Sequence, residues 1–169
     1  MMGLTKKDRL LLINQYKILA CLNKEEESHY LELIEILERG YAIFYSSMDE
    51  WVSEDMPEED GRFVLDILDL YRAIEDVKRA TKDEKLSKHP YSFFRGFDGN
   101  NETQQMGFCR FVIEIQGKFQ EQKPYMLRND NLNSHMQMVG KYSRMLEAAE
   151  RVPTIWKMSA EQALGILEA

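Results

Sequence analysis

Apolar residues recur at alternating steps of four and three along nearly the whole chain. No other feature restricts the fold as much. Tyr30, Ile34, Leu37, Tyr41 and Phe44 keep this rhythm; so do Phe63, Ile67, Leu70, Ile74 and Val77, and then Phe108, Val112, Ile115 and Phe119. Such spacing stacks each set on one face of a helix, whereas a strand needs a period of two. Only 9 glycines and 4 prolines interrupt the 169 residues, so helices have few breakers to contend with. The sequence therefore predicts an all-α fold, a multi-helical single domain.

Capping signals mark where these helices begin. Thr5 with Asp8, Ser134 with Gln137 and Ser159 with Gln162 have the spacing of capping boxes. Asn23 with Glu26 predicts a cap for the helix carrying Tyr30, and Pro57 suits a first helical turn. The first helix is expected from about Thr5 to Leu22, and another from Ser134 to about Arg151, ahead of Pro153. Residues 82–100 and 120–133 carry no period. The first of these, a long Gly/Phe/Asn-rich loop, is expected to join two helical halves, with possible subdomains at 1–81 and 101–169.

Charge and cysteine usage narrow the partners and the compartment. The net charge is −7, and the basic stretches "TKKDR" and "DVKRATKDEK" are broken by acids. Nucleic acid is thus a disfavoured partner, since its binding draws on clustered Lys and Arg. A basic face would require Lys6, Lys7, Arg9 and Lys17 to come together. Cys21 and Cys109 lie far apart in apolar helical surroundings, as expected of buried thiols in a reducing compartment. No apolar stretch reaches the ~18 residues of a membrane span, and the N-terminus lacks the apolar core of a signal peptide. The expected location is cytoplasmic.

Reactive chemistry leaves few traces. His29, His89 and His135 are widely spaced, and the lone Glu26-x-x-His29 falls short of the paired motifs of di-iron bundles. "DGNNE" begins like a calcium loop, but Thr103 stands where glycine is needed and Cys109 where glutamate is needed. No nucleophile elbow or glycine-rich phosphate loop occurs. Asp66 and Asp69 read as an exposed helix face. The acids from Asp49 to Asp60 suit the approach to a helix N-terminus, and the ten methionines suit core filling. No metal, cofactor or catalytic residue is expected.

One stretch stands apart: "FFRGFDGNNETQQMGFCRF", residues 93–111. Asn101, with Gln104 three residues on, predicts a helix N-cap, where free N–H groups welcome an anion. Arg95 and Arg110 could reach that space, with Asp98 beside it, Phe94 and Phe97 as walls, and Arg39 as a further cation. Arg95, Asp98, Asn101, Arg110 and Arg39 are accordingly the candidate ligand-binding residues. The competing expectation is structural: Phe93, Phe94 and Phe97 fill a core, and Asp98 satisfies loop amides.

Six segments, "RLLLINQYK", "ERGY", "FRGFD", "GFCRF", "KYSRML" and "MSA", lie in an order and spacing that resemble the YfbU family of small bacterial proteins. The resemblance spans essentially the whole chain. It implies an all-helical, cytosolic, self-associating protein, and it brings no assigned reaction or catalytic residue. Two functions remain open: a non-enzymatic homo-oligomeric interaction or regulatory protein, with a possible protein partner, or a small-molecule (anion) binder or enzyme centred on residues 94–101. A filled core at Phe94 and Phe97, with Asp98 bonded only to nearby amides, would favour the first.

Overall fold

The computed structural model describes residues 3–169. The fold is all-α, and its residues gather into two compact units, Met1–Asp55 and Met56–Ala169.

In the N-terminal unit, α1 (Lys6–Leu22) and α2 (Glu27–Arg39) form a helical hairpin followed by a 3₁₀ segment, Ala42–Ser47. The Thr5–Asp8 capping box forms as the sequence predicts. Asn23 instead closes α1, and its amide donates to Glu26 at 2.8 Å, so α2 starts without a side-chain cap. Gly40 takes the left-handed conformation (φ 73°) and ends α2. A Cβ there would lie 2.8 Å from the Arg9 guanidinium, which donates to the Leu37 carbonyl at 2.9 Å. Tyr41 and Phe44 consequently leave the predicted stripe and are exposed. The buried cluster is small: Ile13, Ile34 and Leu37, with Leu4, Leu12, Tyr16, Tyr45 and Met48 packed around it.

The C-terminal unit is organised by α3 (Glu58–Thr81), for which Pro57 is the N-cap residue. Ile67, Leu70 and Ile74 of its predicted stripe are fully buried, together with Val64, Leu68 and Tyr71. Short α4 (Glu84–Lys88), α5 (Thr103–Arg110), α6 (Lys123–Met126), α7 (Val139–Ala149) and α8 (Ala160–Glu168) complete the unit. One core runs from Val64 on α3 to Leu167 on α8. The boundary expected within residues 82–100 therefore does not separate two helical halves. Helix α3 finds its partners downstream, because α5, α7 and α8 cover it.

Three further expectations are corrected. Phe111–Ile115 is a π-helical turn, and its extra residue per turn swings Ile115 out to 76% exposure while Val112 stays buried. Helix α7 begins at Val139, so the Ser134–Gln137 pair is no cap, whereas the Ser159–Gln162 capping box of α8 forms. Of the two free thiols, Cys109 is buried but Cys21 is exposed. Among the described residues, no helix is long and apolar enough to cross a membrane.

Candidate functional site

Two segments of the C-terminal unit that lie far apart in sequence, 94–102 and 129–142, are tied side by side. The Phe97 N–H donates to the Leu132 carbonyl and the Ser134 N–H to the Phe97 carbonyl, each at 3.0 Å, an isolated parallel bridge. Gly96 makes the approach possible. Its φ is 81°, and a Cβ would stand 2.0 Å from the Leu132 carbonyl oxygen. On the other side, Asp130, Asn131 and Leu132 are consecutively left-handed, a costly arrangement for residues with side chains. Tertiary bonds hold it: the Asn131 N–H reaches the Met126 carbonyl at 2.9 Å, and Arg110 reaches the Asn131 carbonyl at 2.7 Å.

Buried polar side chains complete the junction. The Glu102 carboxylate accepts the N–H groups of Asp98 (2.9 Å), Met138 (2.8 Å) and Val139 (2.8 Å). It therefore caps α7 from 36 residues upstream, where negative charge meets the helix dipole. The Tyr142 hydroxyl donates to the Gly96 carbonyl at 3.0 Å and accepts the Arg95 N–H at 3.2 Å. Burial holds the Tyr142 hydroxyl protonated, raising it well above the usual phenol range. Tyr71, Phe94, Phe97 and Tyr142 pack their rings at centroid distances of 5.4–5.9 Å, and Phe94 and Phe97 are wholly buried. Phe93 is only half-buried and stacks on Tyr125.

The expected ligand-binding residues turn to other tasks. Arg95 donates to the Pro90 carbonyl at 2.8 and 3.1 Å and lies over the rings of Tyr91 and Phe93. Asp98 accepts the Asn101 side-chain amide and the Asn100 N–H, which together hold its carboxyl below the usual aspartate range. Asn101 is not the N-cap; that position belongs to Glu102, one residue later. Only Asp98 and Asn101 meet through their side chains. The Arg110 Nε–H donates to the Asn131 carbonyl, and Arg39, in the N-terminal unit, pairs with Glu35 at 3.0 Å. Glu102, Tyr142 and Asn133, whose side-chain oxygen accepts the Gly99 N–H at 3.0 Å, carry the junction, and none of them is a candidate that the sequence marks. Glu102 was met there only as a failed calcium ligand, because its partners are distant in the chain.

A second region offers surface instead of satisfaction. Helix α1 turns Ile13, Tyr16 and Ala20 inward. At ~100° per residue, Leu11, Ile18 and Leu22 fall on the opposite face. They are 66%, 60% and 77% exposed. Lys6, Arg9 and Lys17 border one shallow depression, yet Lys17 pairs with Glu38 at 3.1 Å and Arg9 is committed to the end of α2. Among the described residues, no three His, Cys, Asp or Glu side chains are grouped to hold a metal ion.

These features define an all-helical protein with a self-satisfied polar junction in one unit and a two-faced apolar helix in the other. The YfbU domain matches residues 2–169, and the chain belongs to that family. It is 45% identical to a UPF0304 protein of Methanocaldococcus jannaschii over 169 residues, covering 98% of this chain and 99% of that one. That relative is archaeal, so membership does not by itself carry the bacterial origin that the resemblance implied.

Proposed function

We propose that this chain is a non-enzymatic interaction protein that works as a homo-oligomer through the outer face of α1. The observation that carries this reading is the pair of opposed apolar faces on that helix. One is met by α2; the other presents Leu11, Ile18 and Leu22 to solvent. A helix apolar on both sides is stable in water when both sides are covered.

The magnitudes support a second copy as the cover. Each Leu or Ile side chain contributes about 2 kcal/mol when fully buried. Weighted by their 60–77% exposure, the six side chains that a two-fold contact covers, three from each copy, thus offer on the order of 8 kcal/mol before the cost of association. The satisfied junction around Phe94, Phe97 and Asp98 agrees with this reading, since its charged groups are bonded to main chain or packed on rings. A cytoplasmic location belongs to the same proposal, supported by the exposed free thiol of Cys21.

Native mass spectrometry and sedimentation of the protein at micromolar concentration test the proposal. The expected species is a dimer or larger, which Leu11→Glu with Ile18→Glu reduces to a monomer of unchanged helical content. A wild-type monomer, or an oligomer indifferent to both substitutions, would overturn it.

A further inference from the structure

Within the N-terminal unit, a cavity of about 510 Å³ opens between α1, α2 and the segment after the 3₁₀ turn. Its lining is unlike that of an ordinary core gap. Tyr16 and Tyr30 face each other at 6.1 Å between ring centroids and 22° between planes, and His29 lies against Tyr30 at 5.8 Å. Trp51, 84% exposed, flanks one side of the opening and leaves most of its surface uncovered. Leu19, Leu33 and Met48 supply aliphatic and thioether surface, and Glu26 is the acid of the lining.

The electrostatics of this cavity favour a cation. No lysine or arginine lines it, and nearby Lys24 is paired with Glu27 at 2.8 Å. The Glu26 carboxylate is held in place by the Tyr30 hydroxyl and the Asn23 amide, each donating at 2.8 Å. Both bonds fall on Oε2, which leaves Oε1 without a partner among the described residues. Ring faces carry the negative end of an aromatic quadrupole, so rings beside a carboxylate attract a weakly hydrated positive charge. An inorganic cation would find one free oxygen, too few for its shell. An alkylated ammonium needs no such shell and fits both the rings and the aliphatic floor. The volume also lies in the range of small-molecule sites.

We propose that this cavity binds a small organic cation, an alkylated ammonium head group, among the rings of Tyr16, Tyr30 and Trp51, with the Glu26 carboxylate as its counter-ion. The site lies on the α2 side of α1, so it stands or falls separately from the outer-face contact.

Choline is the probe, titrated against sodium chloride at matched ionic strength, with 3,3-dimethylbutan-1-ol as the uncharged molecule of the same shape. In full-length protein carrying Trp156→Phe, Trp51 is the remaining indole and reports binding by its emission. Choline should give a saturable change in the millimolar range or tighter. The alcohol should bind roughly tenfold more weakly, as should choline to Glu26→Gln, the loss expected when a cation–π and charge contact is removed. Trp51→Leu, followed by calorimetry, should lose binding to a similar degree, while Asp66→Asn, in the other unit, should bind as the parent does. Equal binding of choline and the alcohol would overturn the proposal. So would an unchanged affinity in a folded Glu26→Gln variant, or no saturation at all.

Discussion

The two units of this molecule use their helices in opposite ways. In the C-terminal unit, α3 is enclosed: Val64, Ile67, Leu68, Leu70, Tyr71 and Ile74 have no exposed surface. In the N-terminal unit, α1 touches its neighbour with one face and leaves Leu11, Ile18 and Leu22 outside. The first arrangement spends apolar surface on intramolecular stability; the second leaves it exposed. The polar groups follow the same division. Glu102, Tyr142 and Asn133 turn inward to main-chain partners, whereas Glu26 faces an open cavity with one oxygen free among the described residues.

The harshest way to break that contrast is Gly96→Ala. The new Cβ would overlap the Leu132 carbonyl and force a left-handed backbone on alanine, so a loss of about 4 kcal/mol or more is expected. Urea unfolding measures it, and a loss below about 1 kcal/mol would show that the junction yields easily.

Leucine truncations sharpen the comparison next. Leu70→Ala should cost about 3 kcal/mol, the range for a fully buried leucine. Leu22→Ala, at a position 77% exposed, should change monomer stability by less than about 0.5 kcal/mol while weakening self-association. Similar losses at both positions, measured at a concentration where the protein is monomeric, would erase the distinction between the units.

Glu102 tests whether the junction is held by charge. Glu102→Gln keeps one acceptor but loses the ionic character of its bonds, and about 2 kcal/mol of stability should go with it. Amide exchange at Met138 and Val139 should accelerate in that variant. Unaltered protection there would mean that α7 does not depend on this carboxylate.

The smallest expected effect is a pH dependence. The Asp98 carboxyl is held below its ordinary range first by the Asn101 amide and then by the Asn100 N–H. As pH falls, the unfolded chain takes up this proton before the folded one does. The stabilisation is thus complete above the ordinary aspartate range and is lost as pH drops through the lower folded value. Asp98→Asn should flatten the acid limb of a Tm-against-pH profile slightly and lower the neutral-pH Tm. A parallel acid limb with the same neutral Tm would remove Asp98 from the loop's organisation.

Much of the fold was legible because its causes are local. The capping boxes at Thr5–Asp8 and Ser159–Gln162 formed, since both partners of each lie within one turn. Ile67, Leu70, Ile74 and Val77 of the α3 stripe are buried as its spacing required, and Phe63 partly so. Expectations failed where the cause was remote or a register changed. The π turn displaced Ile115, Gly40 cut off Tyr41 and Phe44, and the cap of α7 came from Glu102 instead of Ser134. The aromatic cavity was hidden for a similar reason. Tyr30 is indistinguishable in sequence from a core residue until Tyr16 and Trp51 are brought beside it.

Helical class and most helix positions therefore follow from the order of residues alone, because period and caps act over three or four positions. Tertiary structure alone decided which apolar faces are covered, which carboxylates are satisfied and that Cys21 is exposed. Those outcomes depend on partners tens of residues away, and no local pattern encodes them.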